Sequence, residues 1–199
     1  MSIAGTQSYA GADVPELVAA AVSLAVELGF TSSCRLEQGR LLMALASGAD
    51  SVIGETGTGC GVGLAWLVCG RRPGVRIVSI ERNAEQAARV RQLFAGVADV
   101  EVVTGDWSVI ADRAPFDLLV LDGGGSLTDG SGTDPSLLVR PGGTVVNDDF
   151  TPMTEWPPIH EGAVDAERLA WLTHPDLLAT ELRLAPDFCT LVATRRPAS

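Results

Sequence analysis

From residue 51 onward the chain alternates short β-branched runs with longer amphipathic segments, and this alternation limits its folding more than any other feature. The strand candidates are Ser51–Glu55, Arg76–Ile80, Val100–Thr104, Phe116–Leu121 and Gly143–Asn147. Between them, Val62–Cys69 and Ala84–Leu93 carry apolar residues at helical spacing, and Asp134–Val139 is a shorter helical candidate stopped by Pro141-Gly142-Gly143. A strand that is followed by a helix and then another strand needs a crossover, so the neighbours run parallel and helices cover the sheet. The pattern predicts an α/β, doubly wound fold. Near the end it changes: Leu178–Leu184 and Phe188–Thr194 are separated only by Ala185-Pro186-Asp187, too few residues for a crossover. That link forces an antiparallel hairpin, so the sheet should be mostly parallel with one antiparallel terminal strand.

Ahead of the sheet, Pro15–Leu28 and Leu36–Ser47 read as helices, with Asp13 as the expected N-cap of the first and Pro15 in its first turn. Residues 1–12 are small and polar and are expected to be mobile, and Gly123–Gly132 reads as a flexible loop. At 199 residues the chain is within reach of one core, so residues 1–50 are expected to form a helical cap on the same domain as residues 51–199.

A net charge of −11 opposes docking on a phosphate backbone, which draws on clustered cations, so nucleic acid is not an expected partner. The basic residues are mostly Arg, in short clusters such as Arg71-Arg72 and Arg195-Arg196 that read as solvated element ends. Cys34, Cys60, Cys69 and Cys189 are scattered and suggest neither disulfides nor a zinc site. The apolar stretch from Val14 to Phe30 is broken by Pro15, Glu16 and Glu27, and no leader pattern is evident, so a soluble, cytoplasmic protein without a membrane partner is expected.

Glu55-Thr56-Gly57-Thr58-Gly59-Cys60-Gly61 leaves the first strand and opens the first crossover helix. Such a turn lets backbone amides approach a ligand closely. The dinucleotide spacing fails in both registers, because Val62 or Leu64 stands where the third glycine is required. Glu55, two residues before Gly57, would repel a pyrophosphate and suits a ligand carrying an ammonium and a sulfonium. The alternative is a turn that only packs a helix closely on a sheet.

Glu81 ends the second strand about 20 residues beyond the loop, where an acid can accept both ribose hydroxyls. A surface Glu paired with Arg82 or Arg89 is the plainer reading. Asp106, in Gly105-Asp106-Trp107, could accept the amino hydrogens of an adenine while Trp107 offers a stacking face. Alternatively Asp106 caps the segment that follows. Glu55, Gly57, Thr58, Gly59, Gly61, Gly63, Glu81, Arg82, Gly105, Asp106, Trp107 and Asp122 are the expected cofactor contacts.

Through E-T-G-T-G-C-G, S-I-E-R-N, G-D-W, F-D-L-L-V-L-D and the terminal hairpin, residues 51–195 resemble the class I S-adenosylmethionine-dependent methyltransferases. That resemblance implies a Rossmann-like, seven-stranded sheet and S-adenosylmethionine as cofactor. L-D-G-G at 121–124 and V-N-D-D-F at 146–150 resemble the cation-dependent catechol and caffeoyl-coenzyme-A O-methyltransferases. In that group an Asp after strand four and an Asp-Asn pair after strand five hold a divalent metal, which implies Asp122, Asp148 and Asp149 as ligands here and Asp122 and Asp148 as catalytic. An all-oxygen set of this kind suits magnesium, manganese or calcium. Two departures stand out: Asp149 replaces the usual Asn, and Gly123-Gly124-Gly125 occupies the place of the lysine that serves as general base.

Methyl transfer to a small-molecule hydroxyl is therefore expected, with Thr151–His160, including Met153 and Trp156, as a candidate acceptor wall or else a seal over the core. His160 is a further candidate catalytic group or a surface residue. A homodimer is compatible with this reading. The missing lysine keeps a non-catalytic S-adenosylmethionine-binding domain as the alternative. A nicotinamide oxidoreductase is disfavoured, since the dinucleotide loop is irregular and the single tyrosine is Tyr9.

Overall fold

The computed structural model describes residues 5–128, 130 and 134–197. A 3-10 turn, Gly5–Tyr9, leads into helices α1 (Glu16–Glu27) and α2 (Leu36–Ala46). There follow β1 (Val52–Thr56), α3 (Val62–Gly70), β2 (Arg76–Glu81), α4 (Ala84–Leu93), β3 (Val100–Thr104), a 3-10 segment Trp107–Arg113, and β4 (Phe116–Leu121). A second 3-10 turn, Pro135–Leu138, leads to β5 (Val139–Phe150), the small hairpin β6 (Ile159–His160) and β7 (Ala163–Val164), α5 (Ala166–Thr173), β8 (Leu177–Ala185) and β9 (Phe188–Arg195).

The seven-stranded sheet has the order β3-β2-β1-β4-β5-β9-β8, with β9 antiparallel to both β5 and β8 and the other pairings parallel. The doubly wound, mostly parallel sheet expected from the strand–helix alternation is thus present, with β9 set between β5 and β8. The chain builds outward from β1 to β3 and then returns to place β4 on the other side of β1. That reversal makes the carboxyl ends of β1 and β4 a topological switch point, where the crossovers leave in opposite directions and open a crevice.

All five positions of β1 and all six of β4 are buried, which is why they read as continuous apolar runs and not as alternating ones. On one face α3 is apolar on every side because it lies between the sheet and helices α1 and α2; Leu64 and Leu67 are fully buried and each contributes about 2 kcal/mol. On the other face Trp171 of α5 joins Phe116, Leu119 and Val145. At the amino end of β4, the buried Asp117 accepts backbone N–H groups from Asp50, Ser51 and Val52 and pairs with Arg140 at 2.7 Å, which anchors the start of β1.

Several local expectations are corrected. Asp13 does not cap α1: Pro15 stands at the helix entrance and no side chain caps it. Residues 5–12 are not loose. Tyr9 is buried, and its hydroxyl donates to the Cys34 carbonyl at 2.8 Å and accepts from Trp66 Nε1 at 2.9 Å. Residues 1–4 lie outside the described residues. The helix expected over Asp134–Val139 is the single 3-10 turn Pro135–Leu138, with the Asp134 carboxylate accepting from Ser136 N. Pro141-Gly142-Gly143 lies inside β5, where the register against β4 shifts between Phe116 and Leu118. Within the loop after β4, the Glu167 carboxylate accepts from Ser126 Oγ, Leu127 N and Thr128 N and so ties that part down; Asp129 and residues 131–132 of the loop lie outside the described residues. The four cysteines are free, and among the described residues no helix is long and apolar enough to cross a membrane.

Candidate functional site

At the switch point Gly57 adopts φ 79°, and a Cβ there would lie 2.5 Å from the Asp122 carbonyl oxygen, so only glycine lets the loop cross the end of β4. Gly57 N and Thr58 N both donate to the Ile80 carbonyl, and Asp122 N donates to Thr56 O, which ties the carboxyl ends of β1, β2 and β4 together. Above them opens a cavity of about 400 Å³ lined by Gly57, Gly59, Glu81, Arg82, Gly105, Asp106, Trp107, Asp122 and Asp149. Phe30, Ser32 and Gln86 also line it, and nothing in their local sequence marked them.

Glu81 is almost completely buried, and its two oxygens accept from Gly59 N at 2.8 Å and Asn83 N at 2.7 Å. It therefore shapes the loop and keeps lone pairs for a ligand hydroxyl. Asp106 caps the Trp107–Arg113 segment through Ser108 N and Ser108 Oγ, as the plainer reading expected, and it also lines the cavity. The Ser108 hydroxyl and amide hold its carboxyl below the usual carboxylate range.

Glu55 is placed differently from expectation. Its side chain points into the fold, accepts from the Ser79 hydroxyl, and through Ser79 connects to the Thr58 hydroxyl. Burial drives its pKa up to about 8, against the lowering effect of Ser79, so it is largely protonated near neutral pH. A neutral carboxyl beneath the loop supports the turn's shape and does not act as a counter-charge facing the cavity. Gly63 lies against this carboxyl, while Thr58 and Gly63 border a small side void beneath the loop and Gly61 turns toward Phe94.

Of the acids after β4 and β5, Asp122 and Asp149 line the first cavity. Successive strand residues normally face opposite sides. Here the β5–β9 register shifts between Asn147 and Phe150, and Asp149 takes φ 65°, a bulge that re-aims the two carboxyls. Asp148 is buried with Oδ1 accepting Asp149 N at 2.7 Å; Asp149 is exposed at the cavity wall. Burial first, and then repulsion from Asp148 and Asp149, pushes the Asp122 carboxyl well above its ordinary range, and burial and Asp149 push Asp148 upward as well. Among the described residues no three such side chains are gathered into a metal-holding group. The donor chemistry fits a hard cation, but the oxygens are not gathered around one point.

Where the lysine of the resembling group would stand, close contacts leave little room for any side chain. A Cβ on Gly123 would fall 2.9 Å from Gly57 Cα, and one on Gly124, which has φ 93°, would fall 2.3 Å from Cδ1 of Trp107. The whole chain contains no lysine; all its cationic side chains at neutral pH are arginines.

A second cavity of about 470 Å³ shares Asp149 with the first and is lined further by Arg35, Phe150, Thr151, His160, Arg168 and Phe188. Of the expected acceptor wall only Thr151 and His160 line it; Met153 does not, and Trp156 is 62% exposed. Arg168 is buried, pairs with Asp165 and Glu181, and donates to the Thr151 carbonyl, while Met153 N donates to Glu181, so this network holds the segment after β5.

No protein-family model matches the chain. It is 39% identical over 118 residues, 55% of its length, to a catechol O-methyltransferase of Mycobacterium tuberculosis. A relative from Mycolicibacterium vanbaalenii is 30% identical over 139 residues. The matches span 53% and 61% of those two proteins, so the chain spans little more than half the length of the curated relatives it matches. An O-methyltransferase from Bacillus cereus, solved with S-adenosylhomocysteine, aligns over 98% of both chains with a TM-score of 0.75 at 21% identity. The sheet order, its one antiparallel strand and the glycine loop at the switch point are those of the class I methyltransferase fold, and this chain has that fold.

Proposed function

We propose that the chain transfers a methyl group from S-adenosylmethionine to a hydroxyl oxygen of a small molecule. The observation that carries this is the pair of cavities meeting at Asp149: one is bounded by the glycine loop, Glu81, Asp106 and Trp107, the other by Phe150, Phe188 and Arg35. In the first, Glu81 suits the ribose hydroxyls, Asp106 the adenine amino group, Trp107 the ring face, and the Gly57–Gly59 backbone the methionine end, with Arg82 and Gly105 completing the wall. The second receives the acceptor.

In the transfer the acceptor oxygen forms a bond to the methyl carbon as the carbon–sulfur bond breaks, and the sulfonium becomes a neutral thioether. The acceptor's proton leaves to a carboxylate or to water. Asp149 lines both cavities and Asp122 lines the first, and either is a candidate for that carboxylate. The contribution of the protein is alignment and exclusion of water more than covalent chemistry. Similarity to the catechol O-methyltransferase supports oxygen as the methylated atom.

A divalent cation at Asp122, Asp148 and Asp149 is the accompanying proposal, supported by the Asp122 and Asp148 carboxyls, which burial and acidic neighbours push above the ordinary carboxylate range. Bound there, it would neutralise that charge and acidify the acceptor hydroxyl. Titration of manganese into wild type and Asp148→Asn tests it; equal heats in the two would reject the site.

The absence of lysine favours a second reading, a domain that binds S-adenosylmethionine without transfer. Thermal-shift and calorimetric titration with S-adenosylmethionine, S-adenosylhomocysteine and NAD establishes the ligand, and mass spectrometry of a phenol and catechol panel establishes transfer. Stabilisation by NAD alone would overturn the methyltransferase reading, and binding with no product would favour the second.

A further inference from the structure

We infer that Arg35 recognises a carboxylate on the acceptor, so that the preferred substrates are planar hydroxylated aromatic acids; the inference rests on the methyl-transfer reading and names its substrate class. Two guanidiniums line the second cavity, and they differ in what is free to leave them. Arg168 is 2% exposed and is held by Asp165 at 3.1 Å, Glu181 at 2.8 Å and the Thr151 carbonyl. Its two carboxylate partners, at the entrance of α5 and on β8, are largely buried, so it is a fixed structural cation.

Arg35 stands at the entrance of α2, clamped over the Phe188 ring with its guanidinium carbon 4.9 Å from the ring centre. Its nearest counter-ion is Asp187, in the β8–β9 turn, with both carboxylate oxygens 3.3 Å from the same Nη1, while Glu37 lies farther off, 3.9 Å from Nε, and leaves Nη1 to Asp187. The Asp187 side chain is 75% exposed, against 18% for Arg35. An exposed pair of this kind contributes little to folding, and its acid can turn into water at small cost. Asp187 therefore marks where a carboxylate docks on a preorganised cation, and the folded chain supplies its own stand-in for that group.

The rest of the chamber suits the remainder of such a molecule. Phe150, which is half-buried, provides apolar surface for a ring, and Asp149, on the wall shared with the first cavity, marks the end at which the hydroxyl meets the methyl group. An acid anchored on Arg35 would thus be held at one end with its reactive oxygen directed to the other, which is how binding energy away from the reacting atoms is converted into alignment.

The test is calorimetric titration of 3,4-dihydroxybenzoate and of catechol into protein saturated with S-adenosylhomocysteine, for wild type, Arg35→Gln and Asp187→Asn, with methyl transfer from S-adenosylmethionine followed in parallel. Wild type should bind the acid about tenfold or more tightly than catechol, as expected for a charge-assisted contact. Arg35→Gln should abolish that ratio, and Asp187→Asn, which removes the competing carboxylate from an exposed turn, should tighten the acid several-fold. No binding of the acid to wild type, or a preference unchanged in Arg35→Gln, overturns the inference. Should that variant not fold, an acid affinity unchanged in Asp187→Asn overturns it. Arg35-dependent binding without any methylated product would leave carboxylate recognition standing and reject the transfer reading instead.

Discussion

Gly124 lies against the indole of Trp107, with no room between them for a β-carbon. The same contact that leaves no room for a side chain on Gly124 sets the ring as a wall of the first cavity, so the glycine and the aromatic residue form one device. Its φ of 93° adds a second reason for glycine. Gly124→Ala should displace the ring and weaken S-adenosylmethionine binding about tenfold, the usual scale of overpacking. Calorimetry checks this, and an unchanged Kd would remove Trp107 from the binding wall.

Glu81 shapes the glycine loop and, in the proposed reading, also holds the ribose hydroxyls. Glu81→Gln should weaken S-adenosylmethionine about tenfold through the lost charged acceptor. Glu81→Ala should cost about a hundredfold, because Gly59 N and Asn83 N then lose their acceptors as well. If the two variants bind alike, the role of Glu81 is structural only.

The buried Glu55 makes stability depend on pH in a definite direction. Its folded pKa of about 8 lies above the ordinary 4.5, so the folded chain holds the proton more tightly than the unfolded one. Its contribution is complete below the unfolded value and is lost as pH climbs toward about 8, by at most about 1.4 kcal/mol per pH unit. Melting curves should show wild type losing stability across that window and Glu55→Gln losing less. Asp122 and Asp148, raised for the same reasons, act in the same direction and keep the variant's slope above zero. Parallel slopes would show that Glu55 does not hold its proton.

Arg168 neutralises Asp165 and Glu181 in a site where all three are largely buried. Arg168→Met should destabilise the fold by about 3 kcal/mol or more, since it leaves two carboxylates without a partner. Adding Asp165→Asn and Glu181→Gln should recover much of that loss, as read from denaturant midpoints. A triple variant no better than the single one would assign the cost to packing against Phe150.

Features carried by neighbouring residues were legible in the sequence. The apolar runs of β1 and β4, the short Ala185-Pro186-Asp187 link and the glycine loop each state their place in the fold within a few residues. Side-chain direction was harder to read. β1 is buried on both faces, so its apolar pattern does not say whether Glu55 faces the cavity or the helix. Pro141-Gly142-Gly143 signals a stop, yet β5 absorbs it through a register shift that only its pairing with β4 defines. The second cavity was least legible because it brings Arg35 of the amino-terminal region onto Phe188 of the last strand, residues that no local pattern links.

The position of β9 has a consequence for how the chain is made. β5, which carries Asp148 and Asp149, has β4 on one side, but its other row of backbone donors and acceptors waits for a strand synthesised only after the whole 151–187 segment. Until that strand arrives, the nascent sheet presents an open, apolar edge of the kind that recruits other chains. Completion of the acidic corner and burial of that edge are therefore the same late event, so a chain interrupted before Phe188 would be prone to aggregate as well as inactive.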